Sequence, residues 1–211
     1  MSNKNFISEI LKSKVKTGDL LLFSGQGFIS NIIKLASRSP WSHIGMIFGS
    51  SEHGFYCWES DNNDSDNHAA GVRKVPLDDK INHYQGKVVL RQLELINNDY
   101  KNIEQTIFEF SEEVLSRPYE SSLAELIKSA YDGPFGENIE DLSSIFCSEL
   151  IAEAYQRVKL LPSPPQGLPS NEYTPADFAS LNFTLLCGQL SKHILLKDES
   201  TKTASFELVI E

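Results

Sequence analysis

Basic residues are in short supply in this 211-residue chain. Nineteen Lys and Arg stand against 29 Asp and Glu, a formal net charge of -10. A surface that acidic repels phosphate backbones, so nucleic acid is not expected as a partner, and any contact with a membrane surface is left to a local basic patch. Cysteine is scarce as well: Cys57, Cys147 and Cys187 are the full complement. An odd number at low density argues against a disulfide framework and leaves at least one thiol open to other work. No apolar run approaches the length that spans a bilayer. The first 19 residues show no apolar core flanked by a small-residue cleavage site, so no signal peptide is expected. These absences point to a soluble protein of a reducing compartment, with a cytoplasmic location as the expectation. They also point to a single domain over residues 1–211, large enough for a real core.

What is present reads as alternating elements. Residues 4–15 suggest a short amphipathic helix, and LLLF after Thr17-Gly18-Asp19 a buried strand. QGFISNIIKLAS (26–37) reads as a helix. HIGMIFG (43–49) and FYCWES (55–60), joined by a short polar stretch, read as a hairpin. KVVLRQLEL (87–95) reads as one strand. Ile103, Ile107, Phe110 and Val114 share a helical face, and Leu123, Leu126, Ile127 and Ala130 suggest another. Cys147, Leu150, Ile151, Ala154, Tyr155 and Val158 recur at helix period, the clearest amphipathic pattern in the chain. A Pro-rich loop (162–169) ends it, and short strands follow. Strand-rich, helical, then strand-rich again describes an α+β domain, its antiparallel sheet packed on a central helix.

Three residues could carry chemistry together. Cys147 is expected in the first turn of its helix, where unpaired N–H groups and the positive dipole end favour a thiolate and a developing oxyanion. The plain alternative is a small core residue. His43 opens a strand and suits general-base work, against the ordinary role of a structural His. Glu59 comes close to His43 if the hairpin forms, on the same face when paired residue numbers sum to an even value, for example with His43 opposite Glu59. A carboxylate there fixes the tautomer and stabilises the imidazolium, whereas a lone strand-end Glu is usually solvated. The acidic cluster Asp61, Asp64, Asp66 and His68 fails the calcium-loop pattern, and no metal or other cofactor is expected.

The segments GDLLLFSG, SPWSHIGMIF, the strand ending in WES, GVRKVPLDD, IFCSELIAEAY and TPADFASL also carry a resemblance. Together they resemble the permuted papain-like amidases of the YaeF/YiiX type, a circularly permuted branch of the NlpC superfamily. The resemblance implies a papain-like sheet or half-barrel on a nucleophile helix, with His and carboxylate ahead of Cys in the chain. It places the triad on Cys147, His43 and Glu59. RPYE (117–120) is similar to a Tyr-containing segment of that superfamily, which makes Tyr119 an oxyanion or substrate-pocket residue by resemblance. The implied activity is a thiol hydrolase acting on a peptide, isopeptide or N-acyl amide. The alternatives are an acyltransferase or lipid hydrolase with the same triad, its channel lined by 27–36, and a non-catalytic binding module. The expected partner is thus a peptide-like or acyl-amide substrate. The oligomeric state stays open.

Overall fold

A computed structural model describes residues 14–25, 30, 34, 38–61, 71–97, 99–116 and 142–199. The predicted helices at 4–15 and around 123–130 and the loop at 132–138 lie outside the described residues or almost so, as does most of 26–37. Tyr119, Asp64, Asp66 and His68 also lie outside them.

Six strands form the main sheet: β1 (Leu20–Gly25), β2 (His43–Ser50), β3 (Gly54–Asp61), β4 (Gly71–Pro76), β5 (Gly86–Arg91) and β8 (Ile194–Asp198). Their order is β4-β3-β2-β1-β5-β8, every neighbouring pair antiparallel. A short helix, α1 (Leu77–His83), links β4 to β5. The strand expected over 87–95 is broken at Gln92. Its N–H goes to the Ser191 hydroxyl and its carbonyl accepts from the Ser191 N–H, which turns the chain out of the sheet. The rest becomes β6 (Leu93–Leu95), paired with β7 (Gly188–Leu190) in a separate ribbon.

The run Leu20–Phe23 is wholly buried because both faces of β1 are covered. Alternation splits it. Leu20 and Leu22 join Ile44, Met46, Trp58 and Val89 in one core, with Ile103, Ile107 and Phe110 of α2 (Tyr100–Ser116) and Ile151 and Tyr155 of α3 (Leu142–Arg157). Leu21 and Phe23 join Ile47, Cys57, Val88, Leu90 and Leu77 of α1 in the other. Each buried Leu, Ile or Phe contributes about 1.5–3 kcal/mol. These are the helix faces the apolar spacing predicts, laid against the sheet as an α+β fold requires.

Arg91 is almost fully buried and closes the C-terminal part onto the sheet. Its guanidinium donates to the carbonyls of Phe178, Ser180, Leu190 and Ser191 at 2.7–3.1 Å. Phe178 belongs to α4 (Pro175–Ala179), started by a capping box between Thr174 and Asp177. Among the described residues no helix is long and apolar enough to cross a membrane.

Candidate active site

His43 is the first residue of β2. Just before it, Ser42 pins the strand's start: its hydroxyl donates to the Phe23 carbonyl and accepts the Gly25 N–H. The His43 ring lies 5.4 Å from the Phe23 ring and is 15% exposed. Its Nε2 is 2.7 Å from Glu59 Oε2. Glu59, on β3, is fully buried.

The β2–β3 register pairs Met46 with Trp58 and Ile47 with Cys57. The paired numbers sum to 104, so parity is even and the two side chains share a face. They are diagonal, however, not directly opposite as the example register had it. Counting on from Met46, the residue that faces Glu59 is Gly45. A Cβ there would stand 2.5 Å from Cys57 Sγ and 3.5 Å from Glu59 Cβ. Gly45 therefore leaves the space through which the carboxylate reaches along the sheet to His43.

Two cations complete the cluster. Lys80 Nζ is 2.6 Å from Glu59 Oε1, and Arg73 Nε is 3.1 Å from the same oxygen. Arg73, directly across from Glu59 on β4, also binds Asp61, and Lys80 lies 3.7 Å from Asp61. The Cys57 thiol donates to Glu59 Oε2 over 3.7 Å. Burial alone would raise the Glu59 pKa. The hydrogen bond and charge of His43, then Lys80, outweigh it and hold the carboxyl well below the usual range. Lys80 is pushed up, since its ion pair with Glu59 outweighs burial, and it stays charged. Burial and the charge of Glu59 push the Cys57 thiol up, which keeps it an inert, protonated core residue.

Cys147 meets His43 from α3. Burial of the imidazole is opposed by the charge and hydrogen bond of Cys147 and by Glu59, and the His43 pKa is pushed up to about 10. Glu59 engages Nε2, so Nδ1 is the ring nitrogen left for Cys147. Helix α3 starts at Leu142, five residues before Cys147. Cys147 thus sits in the second turn, not the first. Its own N–H falls within the i to i−4 ladder, and the dipole end lies a turn away. The charge on His43 and its hydrogen bond act on the sulfur more directly than the helix end does.

His43, Glu59 and Asp61 each offer a metal-ligand atom, all within 4.8 Å of one another. Lys80 and Arg73 already engage those carboxylates, and a metal cation would enter against two positive groups. The cluster is an ion-pair network by its chemistry. His53, His83 and His193 bond to Ser50 and to the carbonyls of Asp79 and Ala179, away from it. Cys187 is half-buried and donates to the Lys159 carbonyl. The sequence reading passed over Lys80 and Arg73. The available signal was an Arg on the strand after WES, with opposite charge and a pairing position.

No curated protein matches. One solved structure, titled as that of the metalloprotein YiiX from Escherichia coli O157:H7 (DUF1105), aligns over 88% of this chain and 98% of that one, at 20% identity and a TM-score of 0.47. The sequence pattern of one family, described as permuted papain-like amidase enzymes, YaeF/YiiX, C92 family, matches residues 14–179. With His ahead of Cys in the chain and a mixed antiparallel fold, the protein belongs to that family of permuted papain-like amidases and is an enzyme of the cysteine-hydrolase kind.

Proposed function

We propose that Cys147, His43 and Glu59 form the catalytic triad of an amide hydrolase. The observation that carries this reading is the position of His43 between a buried carboxylate and a thiol on another element, in contact with both. His43, which already holds the Cys147 proton on Nδ1 near neutral pH, faces a thiolate that attacks the amide carbonyl. It then returns that proton to the amine as the C–N bond breaks. Water, deprotonated by the same imidazole, attacks the thioester, releasing the acid and restoring the thiolate–imidazolium pair. Glu59 fixes the ring and offsets the imidazolium charge. Tyr119, on the strength of the resemblance, is the proposed oxyanion or pocket residue.

Cys147 is fully buried. A peptide, isopeptide or N-acyl amide suits the chemistry. Iodoacetamide, small and neutral, tests the nucleophile. Cys147 is expected to alkylate faster than Cys57 or Cys187 near neutral pH, with His43→Ala removing the difference. Equal rates at all three thiols would reject the triad. With a peptide or acyl-amide panel and an added amine, free acid supports hydrolysis, and a transfer product would make the enzyme an acyltransferase.

A further inference from the structure

Helix α1 presents Leu77, Lys80 and Ile81 toward the second core at the spacing of one helical face, and Tyr84 joins them from its C-cap. Three of these positions are apolar or aromatic. The fourth is a lysine only 10% exposed. A leucine there would pack against Phe23, whose ring centre lies 5.1 Å from Nζ. Burying an ammonium in that stripe costs free energy that only a well-placed anion offsets. The anion is Glu59, whose Oε1 is 2.6 Å from Nζ.

A carboxylate has two equivalent oxygens, and the terminal torsion of Glu is broad and roughly two-fold. Nothing intrinsic to Glu59 keeps Oε2 toward His43. Arg73 even competes, because its fork could take both oxygens in a bidentate pair and draw the carboxylate toward β4. Arg73 is instead shared with Asp61, holds Oε1 at 3.1 Å and is 20% exposed. Lys80 is nearer and more buried.

We infer that Lys80 is a positioning residue of the proposed triad, which by occupying Glu59 Oε1 keeps Oε2 turned to His43 Nε2. This rests on the triad reading above. Lys80 touches no reacting atom and acts through Glu59. With Lys80 removed, Glu59 swings toward Arg73, and His43 loses the partner that sets its tautomer and steadies its charge.

The test is a double-mutant cycle on the full-length protein, read as the iodoacetamide rate at Cys147 against pH. Lys80→Met is expected to slow alkylation at pH 7 by on the order of 10-fold, as loss of an orienting outer partner does. Lys80→Arg should restore most of the rate. In a Glu59→Gln background, Lys80→Met should add no further loss. Thermal melting checks folding, and Lys80→Gln carries the test if Lys80→Met does not fold. The positioning role is overturned if Lys80→Met reacts like wild type, or slows the Glu59→Gln protein as much as it slows wild type. If wild-type Cys147 shows no excess reactivity and His43→Ala changes nothing, the triad itself has failed and this inference falls with it. Fast wild-type labelling abolished by His43→Ala, with an unaffected Lys80→Met, removes the inference alone.

Discussion

The Tyr155 hydroxyl donates to the Gly18 carbonyl over 2.7 Å, tying helix α3 to the turn that launches β1. Both residues are buried, and Gly18 sits at φ 100°, a conformation open mainly to glycine. The bond fixes where the Cys147 helix lies on the sheet. In Tyr155→Phe the Gly18 carbonyl keeps its burial and loses its donor. A stability loss of about 1–3 kcal/mol is expected in urea unfolding. A neutral result would mean that water replaces the phenol.

The buried Glu59 makes stability depend on acid. Its folded pKa lies below the ordinary 4.5, so its contribution is present above that pH and is lost as pH falls through the lower folded value. Melting temperature of the wild type should therefore drop on acidification below about pH 4.5. Glu59→Gln should show a shallower acid dependence. It should also be less stable at pH 7 by about 3–5 kcal/mol, since Lys80 and Arg73 lose their buried counter-ion. A parallel pair of curves would refute the assignment.

Gly45 is expected to tolerate no side chain. Gly45→Ala drives a methyl into Cys57 Sγ and should cost about 1–3 kcal/mol by overpacking. Cys57→Ala removes the obstacle, so the double variant should recover part of that loss in chemical denaturation. No recovery would rule out Cys57 Sγ as the source of the strain, since the next nearest atoms, at 3.4 and 3.5 Å, are at ordinary contact distance.

Arg91 is predicted to be a structural keystone. Arg91→Met leaves four carbonyls without their donor and should lower stability by at least about 3 kcal/mol. Arg91→Lys should fall between the two, because an ammonium lacks the planar fork that reaches them together. Differential scanning calorimetry would settle the ranking.

Much of the fold could be read from the chain, because its cues are local. The apolar runs at 20–23 and 43–49 and the helical spacing of 103, 107 and 110 depend on neighbours a few residues apart. The hairpin brought His43 and Glu59 to one face by parity alone. The details that escaped depend on distant partners. Ser191 breaks the strand at Gln92. The register is diagonal because the pairing sums to 104, and parity cannot distinguish that from 102. Lys80 and Arg73 look like ordinary solvated charges in GVRKVPLDDK until β4 and α1 fold back over Glu59. Leu142, Ile145 and Phe146 carry the helical spacing upstream of Cys147, so beginning the repeat at Cys147 placed that residue one turn too early in its helix.

The imidazole and its carboxylate lie sixteen positions apart on adjoining strands, whereas the sulfur arrives from far downstream. A growing polypeptide could settle the former pair before the latter has been synthesised. Under the proposed triad, a half-finished molecule carries only ordinary thiols. Reactivity switches on when α3 docks, so nascent and misassembled copies are spared an aggressive nucleophile.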